Sequence, residues 1–86
     1  MPAYSVEFTL AAERQFAKLS STARSLVAAV VVALASNPRP HGCVKLAGAD
    51  DLWRVCVQQY RIIYRVLDKR LVVTVVKIGD RKDVYR

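Results

Sequence analysis

Three arginines and a basic, aromatic tail carry the chemistry this sequence could perform. Arg54 lies in LWRVCV (52–57), and Arg61 and Arg65 lie in YRIIYRV (60–66). A guanidinium is planar, permanently charged and forked, which suits paired hydrogen bonds to a phosphate. Further on, Gly79 is followed by Arg81, Lys82, Tyr85 and Arg86. Cations for a backbone and a ring for a base are what a single-stranded RNA site uses. Asp80 and Asp83 offset part of that charge.

Whether the arginines act together depends on the strands that carry them. Leu52–Val57, Tyr60–Val66 and Leu71–Ile78 alternate as strands, separated by Gln58-Gln59 and Asp68-Lys69. With two-residue turns at both places, Val57 pairs with Tyr60, Cys56 with Arg61, Val55 with Ile62 and Trp53 with Tyr64. In the next hairpin Val66 pairs with Leu71, Ile62 with Val75 and Arg61 with Val76. Opposed residues share a face. One face then holds Trp53, Val55, Val57, Tyr60, Ile62, Tyr64, Val66, Leu71, Val73 and Val75. The other holds Arg54, Cys56, Arg61, Ile63, Arg65, Val72, Thr74 and Val76. The apolar face must meet the rest of the protein, so the three arginines converge on the far side. No acid occurs among those face positions, and the expected ligand is phosphate.

The preceding half supplies the cover. Residues 3–8, AYSVEF, alternate as a first strand. From Thr9, a plausible N-cap, the period becomes helical, with Leu10, Phe16, Ala17 and Leu19 on one face. Ser20, Ser21 and Thr22 break that helix, and one of them caps a second, which runs to about Ser36. This second helix has no charge after Arg24 and is apolar around nearly its whole circumference. A sheet can cover only one side of it, which leaves a side for a partner. Two prolines in Asn37–Gly42 end it. The loop histidine, His41, is read as a surface residue. The order β-α-α-β-β-β predicts an α+β fold, a helical hairpin packed on one face of an antiparallel sheet of about four strands.

Size and charge agree. An 86-residue chain is one domain, and 53% hydrophobic residues exclude a disordered chain. The net charge of +7 favours a polyanionic partner. It is uneven: residues 1–44 hold four basic and two acidic residues, and 45–86 hold ten and five. Cys43, Cys56 and the single His41 do not make a zinc site, and no metal or cofactor is expected. Both cysteines are read as free thiols in a reducing cytoplasm. No signal peptide is expected, because Pro2–Glu7 is strand-like. The longest apolar run, Leu26–Ala35, is ten residues and too short to span a bilayer.

The motifs KLAG (45–48), LWRVCV (52–57), YRIIYRV (60–66) and IGDRKDVY (78–85) together resemble the RelE/ParE superfamily of toxin–antitoxin toxins, and most of all its RelE-type mRNA interferases. The resemblance covers essentially the whole chain. It implies a toxin that cuts mRNA in the ribosomal A site without metal, the 2′-hydroxyl attacking the adjacent phosphate. By that resemblance Tyr85 is the base, Arg81 is the acid or the stabiliser of charge at the phosphate, the latter fitting better because arginine holds its proton firmly, and Arg61 clamps the transition state. Lys45, Arg54, Arg65, Lys82 and Arg86 would bind RNA. Cys56 departs from the pattern, standing where the family has a second lysine. The resemblance also implies partners: mRNA and rRNA at the ribosome, and a cognate antitoxin that wraps the toxin and could cover helix 22–36. Two alternatives share the fold, a ParE-like inhibitor of DNA gyrase and an inactive relative that only binds RNA or the ribosome.

Overall fold

The computed structural model describes residues 3–80. Strand β1 (Ser5–Phe8) leads into helices α1 (Leu10–Ala17) and α2 (Ser21–Ser36). Strands β2 (Val44–Lys45), β3 (Leu52–Val57), β4 (Tyr60–Leu67) and β5 (Val72–Asp80) follow. Both helices start on the predicted side-chain caps. The Thr9 hydroxyl accepts from the Ala12 amide, and the Ser20 hydroxyl from the Ala23 amide. Arg24 closes the hairpin by donating to the Leu19 carbonyl at 2.6 Å.

The sheet order is β1-β5-β4-β3-β2. The helical hairpin on one face is as expected, and the sheet differs from expectation in two details. Val44–Lys45, a stretch for which no strand was expected, forms a short edge strand on β3. The first strand pairs with β5 in parallel, Ser5 with Val72 through Phe8 with Val75, so the sheet is mixed. The two helices lie between these strands in the chain, and a crossover of that length permits parallel pairing.

The core lies between helices and sheet. Ala12, Val27, Val31 and Leu34 pack on Val55, Ile62, Tyr64, Val66, Val73, Val75 and Ile78. Tyr64 is fully buried, and its hydroxyl donates to the Pro38 carbonyl at 2.7 Å. Burial pushes that hydroxyl well above the ordinary tyrosine range, and the neighbouring Cys43 adds to the shift. At the same end, Arg39 makes a forked pair with Asp68 (2.6 and 3.2 Å) and lies 5.2 Å from the Trp53 ring centre. Tyr4 also donates to Asp68. The Arg39 hydrogen bonds, then that of Tyr4, hold the Asp68 carboxyl below its usual value.

Candidate nucleic-acid interface

The β3–β4 hairpin has the predicted register: Val57 opposite Tyr60, Cys56 opposite Arg61, Val55 opposite Ile62 and Trp53 opposite Tyr64. Its two-residue turn is made without glycine, Gln58 taking φ +54°. The β4–β5 register is a correction. Val66 pairs with Val73 rather than Leu71, Tyr64 with Val75, Ile62 with Ile78 and Arg61 with Gly79. The turn spans Asp68–Leu71, four residues where two were expected, and Leu71 takes φ +54°. A shift of two residues keeps Val73 and Val75 inward. Leu71, placed on the apolar face, is instead half exposed in the turn.

A second irregularity lies further along. The pairing jumps between Ile63/Tyr64 and Lys77/Val75, so Val76 is an extra residue, a β-bulge. Strict alternation from Val73 and Val75 would turn Lys77 inward. The bulge resets the phase, so that Ile78 is buried and Lys77 is not. It is braced from both ends of α1, by the Thr9 cap and by Gln15. The Thr9 amide donates to the Val75 carbonyl and its hydroxyl to the Val76 carbonyl, while the Gln15 side chain accepts from the Ile78 amide at 2.8 Å.

The face away from the helices is therefore a basic sheet surface. Across β3, β4 and β5 it reads Cys56–Arg61–Gly79, then Arg54–Ile63–Lys77, then Leu52–Arg65–Thr74. The structure brings together Arg54, Arg61 and Arg65 as predicted, all half-buried. The Nε atoms of Arg54 and Arg61 are shielded from solvent, so both guanidinium groups are held against the protein. Gly79 is extended strand and needs no glycine for its φ. It sets no side chain opposite Arg61, and on the other side Cys56 is small and exposed.

Arg65 corrects the expectation of an acid-free face. Asp51, from the turn before β3, pairs with it at 2.8 Å. Leu52 lies opposite Arg65, and the Val66 amide donates to the Asp51 carbonyl, so the preceding residue is drawn to the arginine's head. Lys45 stands opposite Trp53 on the edge strand, which sets it on the other face from the arginines. His41 is exposed in its loop, and both cysteines are free thiols. Arg81, Lys82, Tyr85 and Arg86 lie outside the described residues. Sequence reasoning missed Asp51 and Lys77. The signal for Lys77 was the conflict itself, a lysine in phase with two core valines.

The family described as the ParE toxin of type II toxin-antitoxin system, parDE, matches residues 6–85. The chain belongs to this toxin family. It is 32% identical over 87 residues to the mRNA interferase toxin RelE of Escherichia coli strain K12, covering 96% of this chain and 90% of that protein. The crystal structure of the isolated E. coli RelE toxin superposes with a TM-score of 0.82 at 32% identity, covering 96% and 92% of the two chains. The toxin in the intact E. coli RelBE toxin–antitoxin complex gives 0.81 at 31% identity, over 91% and 96%. Among the described residues, no helix is long and apolar enough to cross a membrane.

Proposed function

We propose that this chain is the toxin of a type II toxin–antitoxin pair and an endoribonuclease that cuts mRNA in the ribosomal A site, in the cytoplasm. Its identity to an mRNA interferase along nearly the whole of both chains supports the activity. The observation that carries it is the outer face: Arg61 is held on the central strand directly opposite Gly79, which has no side chain and stands two residues before Arg81 in the chain. A phosphate beside Gly79 meets Arg61 directly. The 2′-hydroxyl of the preceding nucleotide attacks it, the P–O5′ bond breaks, and the products are a 2′,3′-cyclic phosphate and a 5′-hydroxyl. Tyr85 takes the proton from the 2′-hydroxyl, a solvent water gives one to the departing 5′-oxygen, and Arg81 and Arg61 stabilise the doubly charged phosphorane. Tyrosine normally titrates near pH 10, so its task as a base depends on those cations. Arg54 and Arg65 hold flanking phosphates, and Lys82 and Arg86 extend the charge. Lys45, on the far face, is left to contact RNA outside this surface.

Mapping mRNA ends on programmed ribosomes tests this. Cuts are expected in the A-site codon, dependent on the ribosome and lost with Arg81→Ala and Arg61→Ala. An intact message with the wild-type chain sinks the proposal. The match to the ParE toxin family favours, as a second reading, the ParE-like inhibition of DNA gyrase that the resemblance implies. Inhibition of supercoiling by the purified chain, without mRNA cleavage, would establish that instead.

The antitoxin has a fitting surface. Val6, Phe8, Phe16, Ala28, Val31 and Val32 line an open apolar groove of about 350 Å³ beside α2. Val32 is 69% exposed at its rim. An apolar antitoxin segment laid here would cover the side of α2 that the sheet does not. Hydrogen exchange in α2 is then slower in the complex than in the isolated toxin, and equal rates would place the antitoxin elsewhere.

A further inference from the structure

We propose that Lys77 is a further RNA-contact residue, holding the phosphate next to the one at Arg61; this rests on the mRNA-cleavage function proposed above. Lys77 lies on the outer face of β5, opposite Ile63 and two residues from Gly79. Gly79 is opposite Arg61, so Lys77 and Arg61 are diagonal neighbours on one face. Such neighbours are about 7–8 Å apart in a sheet, and a long flexible side chain spans that with ease. Ile63 and Gly79, the residues beside this pair, carry no charge. Asp51, at the other end of the hairpin, is occupied by Arg65. Among the described residues no carboxylate pairs with Lys77. Its stem is half-buried against the sheet, which limits the volume its ammonium explores.

The bulge makes this placement possible. In phase with Val73 and Val75 the lysine would enter the core, where an unpaired ammonium is not tolerated. Instead the backbone departs from regularity at Val76, and three bonds from Thr9 and Gln15 hold that departure in place. Burying Ile78 requires only that residue 77 face outward; it does not require a cation there. Lys77 restores to this surface a positive charge of the kind that Cys56, beside Arg61 on β3, does not supply. An ammonium binds phosphate as a compact point charge with three donors, independent of base identity.

The test is single-turnover cleavage on programmed ribosomes with wild-type chain, Lys77→Gln and Lys77→Arg, across a range of salt. The toxin concentration for half-maximal rate is expected to rise about 10-fold in Lys77→Gln, with the saturating rate nearly unchanged and Lys77→Arg close to wild type. The salt slope of that concentration is expected to fall by about 0.7, as for one lost contact to a single strand. A message with a neutral methylphosphonate next to the cut should weaken wild type by a similar factor and Lys77→Gln hardly further. Cleavage by wild type with an unchanged half-maximal concentration and salt slope in Lys77→Gln overturns the role of Lys77 alone. So does a defect that arginine fails to rescue, or one that adds fully to the methylphosphonate. A wild-type chain that leaves the message whole overturns the cleavage function, and this contact with it.

Discussion

Arg61 and Arg65 lie four residues apart on one strand and face one way, yet their surroundings differ. Arg65 is anchored by Asp51 at the far end of the hairpin, whereas Arg61 lies opposite Gly79, two residues before Arg81 in the chain. Arg65→Ala is therefore expected to reduce cleavage less than Arg61→Ala, read as single-turnover rates on the same ribosomes. Asp51→Asn should change stability by less than about 1 kcal/mol, since the pair is partly exposed. Away from this face, Tyr64 is the residue whose hydroxyl matters most to folding. Tyr64→Phe leaves the Pro38 carbonyl without its buried donor and should cost about 1–3 kcal/mol in urea unfolding at neutral pH. The sign with pH follows from the raised titration of Tyr64: its neutral form is favoured in the fold. Stability tied to it is present below about pH 10 and lost as pH rises through the higher folded value, and Tyr64→Phe should flatten that alkaline decline. Asp68 works in the opposite sense. Its folded value is lowered, so its contribution is present above about pH 4 and lost on acidification through the folded value. Thermal melts of wild type and Asp68→Asn should converge in acid and separate at neutral pH.

At the scale of elements, much of the molecule is legible in the sequence. Both helices, the Thr9 cap and the β3–β4 register follow from periodicity and a two-residue turn. The arginine face follows from them, because alternation fixes the face whenever the turn length is right. The β4–β5 hairpin is not legible. Asp68-Lys69 looks like a tight turn, but the chain uses four residues there, and nothing local announces Leu71 at positive φ. The bulge depends on Thr9 and Gln15, more than sixty residues earlier, so no window around Val76 contains its cause. The parallel place of β1 is likewise a long-range fact. Gln15→Ala tests the bracing. It removes the acceptor of the Ile78 amide on a stretch of β5 that runs past the end of β1. Exchange of that amide should quicken markedly, with a loss of about 1 kcal/mol in overall stability.

For the whole molecule, the proposed function gives different work to two surfaces on opposite sides of one sheet: RNA to the basic face away from the helices, the antitoxin to the apolar groove beside α2. They should be separable by mutation. Val32→Asp changes an exposed side chain, so stability should move by no more than about 0.5 kcal/mol and cleavage should persist. Affinity for the cognate antitoxin, by titration calorimetry, should fall at least about 10-fold if the groove is its seat. The parallel pairing of β1 with β5 has a further consequence, which concerns time during synthesis. The first strand made has no strand to bond with until Val72–Val75 exist. The β3–β4 hairpin can close locally, but the strand between β1 and β4 arrives last. Long-range pairing of this kind slows folding to milliseconds or longer, against elongation at about 5–20 residues per second. A message broken upstream of the codon for Val72 thus yields a chain with two open strand edges and an uncovered core, fit for proteolysis rather than for action. The topology ties the appearance of a working toxin to translation that has run through its last strand.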